Sequence, residues 1–139
     1  MRTVMILVCA VLCVLAGGCS NPTPGDRPTV ETDSGLEYQV IREGSGPRPV
    51  EGQWVRVDES TSLPDGTLIF STWDTGQPVR FQLGAEMVVD GMEEIVYDMR
   101  VGEKRNAIMP PAITKRQRYP NVFGPDDTLH FVIELVEIE

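Results

Sequence analysis

Residues 81–103, FQLGAEMVVDGMEEIVYDMRVGE, decide how the chain must fold. Val88, Met92, Ile95, Val96 and Met99 fall at i, i+4, i+7, i+8 and i+11, which draws one apolar stripe along a helix. Asp90, Glu93, Glu94 and Asp98 occupy the other side. Acidic residues crowd the start, where the helix dipole favours them, and Arg100 stands at the end, where it favours a cation. Gly102 is placed to stop the helix in a left-handed conformation. The spacing predicts a helix over roughly Met87 to Met99. Everything on either side reads as strand or turn, so one short helix must lie across a sheet.

Working outward, short alternating runs flank the helix. Leu36, Tyr38 and Val40 alternate with Glu37 and Gln39, and within Trp54 to Glu59 Val55 and Val57 alternate with Arg56 and Asp58. Leu68 to Ser71 is a short β-prone run, Val79 to Leu83 alternates again, and Glu103 to Met109 is a weaker strand. Leu129, Phe131, Ile133 and Leu135 alternate cleanly with His130, Val132 and Glu134 in the last one. The breaks carry turn residues: Gly44-Ser45-Gly46-Pro47, Leu63-Pro64-Asp65-Gly66 and Thr75-Gly76-Gln77-Pro78. Pro110 to Asp127 is a long loop rich in Pro and Gly. Tight turns with a single possible crossover predict an α+β domain, a twisted antiparallel sheet wrapped around one short helix. His130 then points away from the core.

Length and composition narrow the function classes. At 139 residues, with 41% apolar content, the chain has room for one cored domain. A net charge of −9 repels phosphate backbones, which speaks against nucleic-acid binding. Residues 1–18 read as an export signal: Arg2, then twelve apolar residues from Val4 to Leu15, too short to span a bilayer. Leu15-Ala16-Gly17-Gly18-Cys19 resembles a bacterial lipobox, which implies cleavage before Cys19 and lipidation of its sulfur. The plainer alternative is a soluble-secretion signal with an incidental cysteine. Lipidation would place the chain at the cell envelope, and Ser20 after the cysteine points to the outer membrane where there are two. Removal of residues 1–18 also removes Cys9 and Cys13 and leaves no intramolecular disulfide. Residues 19–33 read as a flexible tether and residues 34–139 as the domain. One histidine and no Ca-loop spacing leave no sign of a cofactor or metal site, and no base–nucleophile pair for a hydrolase.

The words and their order resemble the FKBP-type peptidyl-prolyl cis-trans isomerases over residues 35 to 139. The resemblance rests on Gly35-Leu36-Glu37-Tyr38, Gly44-Ser45-Gly46-Pro47, Leu63-Pro64-Asp65-Gly66-Thr67, Phe81-Gln82-Leu83-Gly84, Val88-Val89-Asp90-Gly91-Met92-Glu93-Glu94, Met99-Arg100-Val101-Gly102-Glu103-Lys104, Pro110-Pro111 and Thr128-Leu129-His130-Phe131-Val132-Ile133-Glu134-Leu135. It implies an apolar pocket between helix and sheet that takes a prolyl ring from proline-containing polypeptide segments. Rotation about the amide has a barrier of about 18–20 kcal/mol. A dry pocket that favours the twisted amide lowers it without nucleophile or metal. By the same resemblance, Val88 and Val89 supply branched apolar surface and the Val89 N–H a donor to a substrate carbonyl. Phe131 is the pocket aromatic of the last strand, and Val122 or Phe123 the apolar tip of the flap. Met92 stands where the family has a tryptophan floor, Glu59 and Lys115 where it has tyrosines, and Val79 where it has another aromatic. Ile69-Phe70, or Phe70-Ser71, stand where it has Phe-Asp. Tyr119 could return the flap's lost donor.

These departures lead to an expectation of reduced isomerase activity on exported proteins, or of a non-catalytic FKBP-like peptide-binding or chaperone module. A monomer is expected. Glu59 either pairs with Lys115 across the pocket or is solvated at a fraying strand end. Lys115-Arg116-Gln117-Arg118 either solvates the flap or docks an acidic partner.

Overall fold

The computed structural model describes residues 27–139. Residues 1–18, read as an export signal, and residues 19–26, read as the start of a tether with Cys19, lie outside the described residues. Seven strands form one antiparallel sheet, and the expected α+β architecture is what the chain adopts. The strands are β1 (Val30–Glu31), β2 (Glu37–Arg42), β3 (Trp54–Ser62), β4 (Leu68–Ser71), β5 (Val79–Gln82), β6 (Lys104–Met109) and β7 (Leu129–Ile138). A single helical turn, α1 (Thr72–Thr75), separates β4 from β5, and the main helix α2 (Asp90–Asp98) connects β5 to β6. The spatial order is β1-β2-β6-β7-β3-β4, and β5 also pairs with β3. β5 takes the first half of β3, Val57 opposite Val79, and β4 the second half, Thr61 opposite Phe70.

Alternation fixes which face is buried. Leu129, Phe131, Ile133 and Leu135 of β7 point inward beside Val55 and Val57 of β3, while His130, Val132 and Glu134 lie half-exposed on the outer face. Met92, Ile95, Val96 and Met99 of α2 close the core from the other side. Gly91 lets the helix start sit close: a Cβ there would lie 2.7 Å from Met109 Sδ and 3.0 Å from Ile113 Cδ1.

The helix boundaries differ from those the spacing predicts. α2 begins at Asp90, three residues after Met87, and Val89 is its extended N-cap (φ −66°, ψ 151°). Val88 and Val89 therefore precede the helix; branched side chains accept extended backbone readily. The helix ends at Asp98 with Met99 extended. Gly102 (φ +88°) serves the next turn, where Glu103 N–H donates to Arg100 C=O, and not the helix stop. Arg100 is exposed and donates to Gly46 C=O.

Other differences lie at the ends of the chain's elements. Val30–Glu31, within the stretch read as tether, pair with β2 as β1. Thr32 and Ser34 donate their hydroxyls to the Glu94 carboxylate at 2.6 and 2.7 Å, which holds this approach to the helix. β3 continues three residues past Glu59 and keeps Glu59 opposite Ile133, so Glu59 is not at a frayed end.

β6 carries one charge inward. Arg105 is buried against the Tyr38 ring at 4.1 Å, bonded to Glu103 and, through Nη2, to Asp98 Oδ2 at 2.9 Å. Burial pushes the Asp98 carboxyl up. The hydrogen bond and charge of Arg105, with help from Tyr38 and Arg48, outweigh this and hold it below the usual range. This network ties the end of α2 to the sheet.

Candidate functional site

A cavity of about 500 Å³ opens between the second half of β3, β4, the approach to α2 and the long loop before β7. β3 supplies Glu59 and Thr61, which share the inward face with Val57 beyond a bulge between Arg56 and Val57. β4 supplies Ile69 and Phe70, and β7 supplies Phe131 opposite Thr61. Val88, Val89 and Met92 form the helix side. Lys115, Arg116 and Gln117 come from the flap, just after the 3₁₀ turn Pro111–Ile113. A second cavity of about 390 Å³ lies on the outer face of the sheet, lined by polar side chains that include His130, Glu37 and Asn106. Of the pocket residues the resemblance implies, it includes only Phe131, whose side chain is buried in the core.

The structure thus brings eight residues singled out in the sequence to one cavity: Glu59, Ile69, Phe70, Val88, Val89, Met92, Lys115 and Phe131. Four others fall outside its lining. Val79 pairs with Val57 and packs on the core. Tyr119 and Phe123 meet edge to face, 5.9 Å apart at 85°, and Phe123 is buried in the core. The Tyr119 hydroxyl accepts the Arg116 N–H at 3.4 Å, so it braces the flap. Val122 is exposed.

Two backbone features shape the helix side. Glu86 adopts φ +54°, uncommon outside glycine, and the loop there carries Met87 over the cavity. Val89 C=O accepts the first helical bonds from Met92 and Glu93, at 2.9 and 3.2 Å. Its own N–H meets no acceptor among the described residues. An unpaired amide at a helix entrance, beside an apolar floor, is a ready donor for a ligand carbonyl.

The electrostatics centre on Glu59. Its Oε2 is buried and has no hydrogen-bond partner among the described residues. Burial pushes the carboxyl up to about 7, partly offset by the Arg116 charge and the Thr61 hydroxyl. The expected pairing with Lys115 is not formed: no ion pair joins them among the described residues, and Lys115 is exposed. The cation acting on Glu59 is Arg116, whose guanidinium lies over the Phe123 ring at 4.9 Å. Arg116 is half-buried, so the basic cluster is not simply a solvated face. Sequence reasoning passed over Thr61, Glu86 and Met87, and named Arg116 and Gln117 only as part of the basic cluster. Strand alternation from Glu59 would have found Thr61; the two loop residues carry no such signal.

Among the described residues no cluster of His, Cys, Asp and Glu is arranged to hold a metal ion. What the cavity offers is apolar surface, one unpaired backbone donor and a desolvated carboxyl.

Comparison with known proteins places this geometry. The sequence model for the FKBP-type peptidyl-prolyl cis-trans isomerase family matches residues 46–136. The chain is 30% identical over 140 residues to FK506-binding protein 2 of Yarrowia lipolytica, covering 100% of this chain and 94% of the relative. It is 37% identical over 103 residues to FK506-binding protein 1 of Dictyostelium discoideum, covering 73% and 96%. The crystal structure of FkpA from Escherichia coli is similar with a TM-score of 0.71 at 28% identity, over 80% of this chain and 51% of that one. The chain belongs to the FKBP-type peptidyl-prolyl cis-trans isomerase family.

Proposed function

We propose that the cavity binds proline-containing polypeptide segments and isomerises their X-Pro bonds, with reduced activity. The observation that carries this reading is the unpaired Val89 N–H above the apolar surface of Val88, Met92 and Phe131. A prolyl ring seated on that surface would bring the preceding carbonyl within reach of the amide. The cavity would then exclude water from the amide as it twists, and the donor would hold the carbonyl while conjugation is lost. The chain's own residues supply apolar contact and one hydrogen bond, and no covalent step is involved.

Export and attachment rest on the sequence. The apolar run from Val4 to Leu15 and the lipobox-like Leu15-Ala16-Gly17-Gly18-Cys19 support a domain held to the cell envelope through acyl chains on Cys19. Its clients would then be exported polypeptides.

The competing reading is a non-catalytic peptide-binding or chaperone module. One observation favours it: Glu59, with its Oε2 buried and unpaired among the described residues, stands in the cavity wall where a tyrosine is expected. Titrating a short X-Pro peptide into the isotopically labelled domain tests the binding claim common to both. Shifts concentrated at Val88, Val89, Met92 and Phe131 are expected. Shifts confined to the outer-face cavity around His130, or none at millimolar peptide, overturn the assignment of this site.

A further inference from the structure

Two groups of opposite charge line the same cavity without meeting. Glu59 Oε2 is buried with no partner, and Arg116 makes no ion pair among the described residues. The guanidinium is held only by its stack on Phe123 at 4.9 Å and a long bond from Nε to Thr114 C=O at 3.4 Å. The backbone beneath it belongs to no strand, and its N–H rests on the Tyr119 hydroxyl at 3.4 Å. The cation is loosely placed and the anion is fixed in β3.

The other charges around Glu59 are few. From the flap, Lys115 is exposed; from the loop before α2, Glu86 is exposed at the opposite rim. Asp58 precedes it on the outer face of β3, held by the Thr72 hydroxyl at 2.7 Å. β4, β7 and the start of α2 present only Ile69, Phe70, Phe131, Val88, Val89 and Met92 to the cavity. Of the two cations in the lining, Lys115 and Arg116, neither has to leave an acid among the described residues, and it is the half-buried Arg116 whose charge acts on Glu59.

We propose that Glu59 and Arg116 form a protonation-controlled latch on the cavity: the neutral carboxyl leaves it open, whereas the carboxylate draws the Arg116 guanidinium across the mouth into a pair that occupies the ligand's space. A buried carboxylate without a partner is unfavourable, and a charge-assisted pair relieves it. On ionisation the proton leaves to solvent and nothing else is exchanged. Burial sets the change near neutral pH, since it raises the carboxyl to about 7. Below that pH the open form prevails, and above it the latched form does. Apparent affinity falls with the open fraction, so a latch favoured ten to one weakens binding about tenfold.

The latch concerns the protein alone, while its effect on peptides rests on the proposed function. The test separates the two. In the ligand-free chain, NMR follows the Glu59 carboxyl carbon and the Arg116 Nε from about pH 5 to 9. The two resonances are expected to move with one midpoint, raised from the ordinary carboxylate range, and the Arg116 signal is expected to stay flat in Glu59→Gln. An Arg116 signal that ignores Glu59 ionisation, or that still titrates in Glu59→Gln, overturns the latch. With an X-Pro peptide, affinity is expected to fall about tenfold from acid to alkaline pH in the wild type and to be level in Glu59→Gln and Arg116→Met. An equal fall in all three proteins overturns the latch as well. A peptide that binds at no pH rejects the proposed function, and the latch is then judged on the two resonances.

Discussion

Replacing Glu59 with Gln keeps the shape of the side chain and removes its titration. In the folded chain the carboxyl is raised from its ordinary 4.5 to about 7, first by burial. A carboxyl raised on folding favours the folded state while it is protonated, so this contribution is complete below about pH 4.5. It is lost as pH rises towards 7 and the folded form must ionise or hold its proton against the solvent. The difference between 4.5 and about 7 corresponds to about 3 kcal/mol at pH 8, and pairing with Arg116 at ten to one would return about 1.4 kcal/mol of it. Glu59→Gln should thus be more stable than the wild type by about 2 kcal/mol at pH 8 and nearly equal to it at pH 5. Urea unfolding followed by the fluorescence of Trp54 and Trp73 at both pH values measures this directly. A stability difference independent of pH, or a variant weaker at pH 8, would show that burial does not disfavour the Glu59 carboxylate and that the reasoning is wrong.

Three further substitutions probe the site and its frame. Val89 already has φ −66°, the angle proline imposes, and its N–H bonds to nothing among the described residues. Val89→Pro should therefore leave stability within about 1 kcal/mol while weakening X-Pro peptide binding about tenfold, as read by denaturation and titration. A Cβ on Gly44 would lie 2.6 Å from Glu103 N and 2.7 Å from Val101 O, both backbone atoms that cannot yield cheaply. Gly44→Ala should cost about 2–3 kcal/mol in urea unfolding. Arg105→Met strands the buried Glu103 carboxylate and should cost about 3–5 kcal/mol, and adding Glu103→Gln should restore much of it.

The sequence was most informative where burial imposes a period. β7, β3 and the stripe of α2 are long enough for alternation or helical spacing to name the inward residues, and Met92, Ile95, Val96, Met99 and the β7 apolar set are buried accordingly. It was least informative for short elements. β1 has two residues and α1 four, too few for any period, and the start of α2 depends on how the Glu86–Val89 loop enters. The site was legible through family resemblance, which located eight cavity residues scattered over strands, helix and loops. It could not say which of the adjacent Lys115 and Arg116 turns inward, because a loop has no alternation to read. Nor could it place Tyr119 and Phe123, whose mutual packing takes both out of the lining.

The central claim is that this cavity accelerates rotation about X-Pro bonds. Exchange NMR on a short X-Pro peptide, with the domain in amounts comparable to the peptide, measures that rotation without coupling enzymes. The account predicts cis-trans exchange faster than in buffer alone, and a return towards the uncatalysed rate in Val89→Pro. Exchange at the uncatalysed rate, with the peptide demonstrably bound at Val89 and Phe131, would contradict it and leave a peptide-binding module.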